Sequence, residues 1–461
     1  MNKELNNFLD EVCERIKYKK IHSEIRTELS EHILSLSEEY KKEGLTEDEA
    51  VRKAVLQMGN SEEIGDRLNK QHKPETEWSL LFLVSIIVSI GGMIMFECSK
   101  YQSMNSVYFE RYLFIALLSI AVMLGVYFYD YTRLRNRSFS LYTGLFILFL
   151  IIKLFGITVA GRPIIKVGSF SVLPEFLSPF FLIAFAGILD GYKGGGTFSL
   201  VKLIILAFLS VALMFLFPAK GMAMLLFAGF FVILMTGILR GNFGGKVRNQ
   251  MLLLFCIFSM IIFLVLLSLQ PYQLERIKVF LDKDRDIMGS GYQQYIAHKW
   301  LSMSKWFGKT GLTFNGSPLE SILPGANTDF VFVNIVATFG KALGLGLIIA
   351  VAAFIIRMFA VTRKIKNDYG FYLSLSSCVI LSLQFILSIL VNLNMFPLAS
   401  VSMPFISYGG TNYIVDMILL GIILSVWRRN NIVKRTGIGS KSLPYRKFIS
   451  YEDGRIIINL K

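Results

Sequence analysis

Four cysteines in 461 residues (Cys13, Cys98, Cys256 and Cys378) stand too far apart for a disulfide framework or a metal cluster, and three lie in or beside apolar stretches. Charge is scarce as well, at 18% of the chain against 54% hydrophobic residues and a mean hydropathy of +0.54. Those values exclude an ordinary soluble domain and fit a polytopic membrane protein. The front lacks the short apolar core of a signal peptide, so no cleavage is expected. Acids are sparse everywhere but at the front. Residues 1–72 hold 12 Lys+Arg and 16 Asp+Glu, and the remainder holds 36 and 17, so a head of net −4 precedes a body of net +19. The body's cations are dispersed in short loops, where they set topology, and this excludes nucleic acid as a partner.

What is present begins with a small soluble helical domain at 1–72. Leu5, Phe8, Leu9, Val12 and Ile16 recur at helical spacing, as do Ile25, Leu29, Ile33 and Leu36. Gly44 breaks the pattern, Thr46 with Glu49 forms a capping box ahead of the next helix, Gly59 closes it and Ser61 opens a last one. The stretch from Glu43 to Ala50, followed by Met58-Gly59-Asn60, resembles the helical prefix attached to some bacterial membrane proteins. It reads equally as a docking or regulatory module and as a solubilising bundle.

From Trp78 onward about ten apolar spans follow, from 78–97 to 410–427, each near the ~20 residues that cross a hydrocarbon core. The eighth is expected at 329–356, and the fifth and sixth are separated by little more than Pro218 to Lys220. Cations cluster in four places: Arg133, Arg135 and Arg137; Arg240, Lys246 and Arg248; Arg357, Arg363, Lys364 and Lys366; and Arg428, Arg429, Lys434 and Arg435. With ten spans all four share one side with both termini, which the positive-inside rule makes cytoplasmic. The long polar loop at 270–328, between spans seven and eight, then faces outward, and Asp329 stands where apolar sequence resumes. The tail at 431–461 is basic and suits anionic lipid headgroups.

Ionisable residues inside spans are functional candidates by default. Lys202 lies near a cytoplasmic end and can snorkel. Lys153 and Asp416 fall at similar depth in the outer half, which allows either a buried ion pair or two groups facing a wet cavity. In the loop, His298 is expected to be exposed, and Trp300, Trp306 and Phe307 with Lys299 and Lys305 read as interfacial.

The strongest local pattern runs Pro397-Leu-Ala-Ser-Val-Ser-Met-Pro404-Phe405-Ile406-Ser407-Tyr408-Gly409-Gly410-Thr411-Asn412. Two prolines and a Gly-Gly pair before an apolar span cannot be regular helix. Irregular backbone at membrane depth must be buried in protein or line a wet cavity. Gly409 and Gly410 precede a helix N-terminus, where an anion is favoured. This string resembles the signature of the SEDS family (shape, elongation, division and sporulation), the RodA/FtsW/SpoVE-type bacterial membrane proteins. The resemblance spans about 78–430 and takes in Gln384, Asn392, Arg276, Phe280, Gly289-Ser-Gly291-Tyr292-Gln293-Gln294, Gly308-Lys309-Thr-Gly311-Leu312, Leu323-Pro324 and Asn327-Thr328-Asp329-Phe330.

The resemblance implies an all-α polytopic enzyme of the bacterial cytoplasmic membrane, with about ten transmembrane helices and a large extracellular loop. It implies a peptidoglycan glycosyltransferase that polymerises lipid II at the outer face, with Asp329 as the essential catalytic residue. Such a transfer needs a base for the acceptor hydroxyl and positive charge for the departing pyrophosphate. Lys309, Arg162 or a divalent cation (Mg or Mn) could face the phosphates, and no organic cofactor is implied. Tyr292, Gln293, Pro404, Phe405, Ser407, Tyr408, Gly409 and Gly410 complete the expected substrate-binding set. A transpeptidase of the penicillin-binding class is the implied partner, beside lipid II and membrane lipids. Without the resemblance, Asn327-Thr328-Asp329 reads as well as a helix cap and first turn. Departures from the family are plain: Ala337 and Thr338 stand where two glutamates are usual, Ala219 replaces the acid of a Pro-Asp-x-Gly element, and Ser178 lies near a usual lysine. The rival readings are a flippase for the lipid-linked precursor and a catalytically silent scaffold.

Overall fold

The computed structural model describes residues 3–101, 107–159, 162–167, 170–218, 220–267, 269–282, 286–310, 322–432, 449–452 and 455–458. They divide into two compact units, Met1–Glu75 with Arg428–Lys461, and Thr76–Trp427. In the first unit α1 (Lys3–Arg15), α2 (His22–Lys42), α3 (Glu47–Met58) and α4 (Ser61–Gln71) turn their apolar stripes onto one cluster that includes Val12, Ile33 and Ala54. The reciprocal capping box of Thr46 and Glu49 opens α3, and Gly59, at φ +93°, closes it. Ile432 packs on the same cluster and Asn431 Nδ2 donates to Glu75 Oε1 (3.3 Å), so the stretch after the last membrane helix belongs to this unit.

The second unit holds α5 (Trp78–Tyr101), α6 (Val107–Phe128), the short α7 (Thr132–Arg135), α8 (Ser138–Phe155), α9 (Pro179–Gly191), α10 (Gly196–Phe215), α11 (Lys220–Leu239) and α12 (Val247–Leu267). Beyond them lie α13 (Pro271–Leu281), α14 (Tyr292–Met303), α15 (Val331–Phe339), α16 (Lys341–Arg363), α17 (Asp368–Asn392) and α18 (Gly410–Arg428). Among the described residues ten of these helices are long and apolar enough to cross a membrane, α9 together with the 3-10 turn Pro174–Leu177 that precedes it; α7, α13, α14 and α15 are not. The windows of α9 and α17 are 78% buried and those of α6 and α12 only 22%, so the former pair forms the centre and the latter pair meets lipid. Small residues let the central helices approach: a Cβ on Gly187 would collide with the Ser138 hydroxyl.

Two features differ from expectation. A small antiparallel sheet, β1 (Ile157–Val159), β2 (Arg162–Val167) and β3 (Phe170–Val172), fills the connection after α8, with Ile157 opposite Ile164 and Ile165 opposite Val172. The eighth span is not one helix over 329–356, because α15 ends at Gly340 and the membrane helix proper begins at Lys341. The loop end causes the break. Lys341 N donates to Lys305 O (2.9 Å) and Ala342 N to Trp306 O (3.0 Å), while Gly308 N and Thr310 N return bonds to Phe339 O and Ala337 O. Gly340 has φ +101°, and a Cβ there would lie 2.5 Å from Trp306 O.

At the opposite end of the spans from Asp329 the chain is tied by charge. Asp190 meets Arg135 (2.6 Å) and Lys193, and Asp368 meets Lys193 (3.0 Å) and Arg240 (3.4 Å).

Candidate active site

Asp329 ends a run of turns at 324–330 and is half-buried. The turns are anchored from below by apolar packing: Leu323, Ala326 and Phe330 join Trp300 of α14 and Val333 and Ala337 of α15 in one buried cluster. Gly325, at φ +83°, reverses the chain and accepts from Phe330 N (2.9 Å). Three successive carbonyls are then held from outside the turn. Tyr408 N donates to Asn327 O (2.8 Å), Ser407 Oγ to Thr328 O (2.7 Å) and Asn392 Nδ2 to Asp329 O (2.7 Å). Asn392 is fully buried, and its Oδ1 accepts from Val333 N (3.1 Å), so one amide ties Asp329 to the first turns of α15.

The loop that supplies Ser407 and Tyr408 is itself fixed. Ser407 Oγ accepts from Met403 N (2.8 Å) while donating to Thr328, which uses the hydroxyl in both senses. Phe405 sits at φ +61°, a strained region for an aromatic residue. Its ring is buried against Phe354 (centroids 6.0 Å) and Phe385 (6.1 Å), and that packing offsets the strain. Gly91 of α5 lies against the same backbone, where a Cβ would come within 3.0 Å of Phe405 O. Asp329 is thereby mounted on a rigid bracket made from α5, α14, α15, α17 and the 397–409 loop.

Residues 74–432 match the cell cycle protein family FtsW/RodA/SpoVE. The chain belongs to this family. It is 27% identical over 401 residues to "Probable peptidoglycan glycosyltransferase FtsW" of Nitrosomonas europaea, covering 81% of this chain and 97% of that one. The protein of the same name from Wigglesworthia glossinidia brevipalpis is 26% identical over 363 residues, 75% of this chain and 92% of that one. Among solved structures, a chain from a peptidoglycan synthase complex that coordinates polymerization and crosslinking aligns with a TM-score of 0.62 and 24% identity, over 77% of this chain and 98% of that one. RodA of Thermus thermophilus, a rod shape determining protein, aligns with a TM-score of 0.55 and 20% identity, over 77% and 97%. These likenesses are to the SEDS fold.

Within this SEDS chain the expected site residues separate into groups. Ser407 and Tyr408 touch the Asp329 turn directly, and Pro404 and Phe405 build the loop behind them. Tyr292 and Gln293, both half-buried, brace the turn: Tyr292 OH donates to Ile322 O (3.3 Å) and Gln293 Nε2 to Pro324 O (3.2 Å). Gly410 begins α18 and Gly409 precedes it, and a Cβ placed on them would make ordinary contacts with Ile115 Cδ1 (3.6 Å) and Asn412 Cβ (3.9 Å). Lys309 is exposed on the pinned 305–310 segment. Arg162 has its backbone on β2, and its side chain lies outside the described residues.

Other expectations are corrected. Lys153 and Asp416 are not an ion pair: Lys153 Nζ donates to Leu216 O (2.8 Å), whereas Asp416 accepts from Asn412 Nδ2 (3.0 Å). The Asn327-Thr328-Asp329 cap is not formed, because α15 starts at Val331 behind Phe330, with no side-chain cap. Trp300 is buried in the cluster beneath Asp329, so only Trp306 and Phe307 stay exposed at the surface. The missing family acids are accommodated by neutral packing. Ala337 completes the apolar cluster, and Thr338 Oγ1 donates to Asn334 Oδ1 (3.2 Å), whose amide donates to Cys98 Sγ (3.1 Å). Among the described residues no three His, Cys, Asp or Glu side chains converge as metal ligands.

Proposed function

We propose that this protein is a peptidoglycan glycosyltransferase that polymerises lipid II on the outer face of the cytoplasmic membrane, with Asp329 as the general base. The reading is supported by the bracket around Asp329, in which three consecutive carbonyls are pinned by Tyr408, Ser407 and Asn392. A base that must meet one hydroxyl proton in one direction requires this fixed mounting. Asp329 takes the proton from the acceptor 4-hydroxyl, the oxygen attacks the donor anomeric carbon, and the bond to the pyrophosphate oxygen breaks with its electron pair. Attack opposite the leaving group inverts the anomeric centre. The α18 N-terminus, which opens at Gly410, favours an anion through the helix dipole. Both termini face the cytoplasm, and a transpeptidase of the penicillin-binding class works beside the chain to crosslink the product.

Polymerisation of lipid II by the purified chain and by Asp329→Asn, alone and with such a transpeptidase, tests the assignment. The isosteric amide keeps every backbone bond of the turn and loses the base, and the expected loss is about 100-fold or more, the range of general-base catalysis. Equal glycan from both proteins removes Asp329 from the chemistry. No glycan from the wild type, even with a partner, transfers the reading to precursor transport or scaffolding.

A further inference from the structure

Two lysines from different helices converge on the end of α10. Lys153, in the last turn of α8, donates to Leu216 O (2.8 Å) with its ammonium 6.0 Å from the centre of the Phe217 ring. Lys220, the first residue of α11, donates to Phe215 O (2.5 Å) and lies 4.9 Å from the Phe215 ring centre. Their acceptors are adjacent in the chain, so the two ammonium groups share one small region. Neither meets a carboxylate among the described residues. The α10 C-terminus carries about half a negative charge, too little to neutralise two cations. Each ammonium has three donors and commits one to a carbonyl, so the remainder are available.

The region lies on the Asp329 side of the membrane unit. Lys153 ends the third span and Lys220 begins the sixth, and with strict alternation both emerge where the eighth span begins. It also borders the loop that holds Asp329. A Cβ on Gly221, the neighbour of Lys220, would lie 2.8 Å from Val401 Cγ2 and 3.5 Å from Ala399 Cβ, so the head of α11 is pressed against residues 399–401. The same loop continues to Ser407 and its bond to Thr328 O. Lysines at the ends of apolar helices reach the membrane interface, where the anions that a bilayer presents are lipid phosphates. Paired ammonium groups match the charge of linked phosphates better than that of a single carboxylate.

We propose that Lys153 and Lys220 form the anion site that receives the pyrophosphate of the lipid-linked donor, an inference that rests on the glycosyltransferase reading. The shared chemistry is a phosphate carried by a membrane lipid, and two sources are separable. The full chain in phosphatidylcholine nanodiscs is titrated with undecaprenyl pyrophosphate and, separately, with phosphatidylglycerol, for the wild type, Lys153→Gln, Lys220→Gln, the double glutamine variant and the double arginine variant. Undecaprenyl pyrophosphate affinity is expected to fall about tenfold or more in the double glutamine variant, the scale of lost hydrogen bonds to a charged group. The arginine pair restores it, each single glutamine variant gives part of the loss, and phosphatidylglycerol affinity is unchanged. Undiminished pyrophosphate binding in variants that melt like the wild type overturns the site. A loss confined to phosphatidylglycerol overturns it too, by making the occupant a structural lipid. Because binding is read without turnover, a chain that binds through these lysines yet makes no glycan removes the enzyme reading and leaves the site standing.

Discussion

Asn392 is a neutral amide in a membrane helix, and both ends of its side chain are used at Asp329. Replacing it with leucine keeps the volume and strands the Asp329 carbonyl and the Val333 amide, each a buried group costing about 1–3 kcal/mol when unpaired. Asn392→Leu is therefore expected to lower the melting temperature and to reduce glycan synthesis more than substrate binding, because the base is loosened while the cavity stays. A melting curve with steady-state kinetics checks both; unchanged kcat with a lowered melting temperature would confine Asn392 to stability. The motifs pointed to Asp329, Ser407 and Tyr408, and the structure brings these together at one turn. Residue roles were illegible where geometry decides them. Tyr292 and Gln293 look like substrate contacts in sequence, and sequence did not show that each also donates a hydrogen bond to the loop, to Ile322 O and Pro324 O. Lys220 carried a signal that could have marked it, a cation on the outward side, where the positive-inside rule makes cations uncommon.

At the scale of elements, hydrophobic runs located nine of the ten membrane helices to within a few residues, since length and apolarity are set locally, whereas the eighth, expected at 329–356, lies at Lys341–Arg363. Breaks set by distant partners were invisible. Nothing near Gly340 announces that the 305–310 segment will take the amides of Lys341 and Ala342. The apolar cluster under Asp329 likewise joins α14 to α15 across the loop, and it explains an absence that sequence alone left open. Ala337 is buried at 4% exposure beside Trp300 and Phe330, with no cation in the cluster. Restoring an acid there, as Ala337→Glu, is expected to cost at least about 2 kcal/mol, because a carboxyl group would be buried without a partner. Thermal unfolding of the variant in detergent decides; wild-type stability would mean that this corner opens to water. In the first unit the capping box of α3 was read correctly, and it carries a pH dependence. The Thr46 hydroxyl and amide both donate to Glu49 and hold its carboxyl below the usual range. A depressed carboxyl contributes stability above its unfolded value of about 4.3, and that contribution is lost as pH falls through the folded value. Hydrogen exchange of α3 in the full chain is expected to quicken on acidification below pH ~4, with Glu49→Gln flattening that response.

For the whole molecule, the decisive quantity is parity. Ten crossings place the two ends of the membrane unit on one side and the segment before α15 on the other, and the basic loops at 133–137, 240–248 and 357–366 all fall on the side of the termini. Under the proposed orientation, which the positive-inside rule supports, the Asp329 face is external. Reading all ten crossings depended on treating the span after the loop as a single unit, and the break at Gly340 does not change parity, because α15 is only nine residues long, about 14 Å at 1.5 Å per residue, too short to cross. Labelling tests the count directly. Cys13, Cys98 and Cys378 are buried and Cys256 is exposed, so a Cys256→Ser background leaves no exposed native thiol. In that background Met288→Cys, at a position 88% exposed, is expected to react with a membrane-impermeant maleimide on intact cells. Leu56→Cys, at 73% exposed in α3, is expected to react only after permeabilisation. Reaction of both on intact cells would mean an even number of crossings between them where seven are expected, and it would place either Asp329 or the prefix on the wrong side. Reaction of Leu56→Cys alone would invert the molecule. An inverted molecule would turn Asp329 and the Lys153–Lys220 pair toward the cytoplasm, where glycan strands are not assembled, so the base, the anion site and the direction of the chain in the bilayer stand or fall with the same pair of labels.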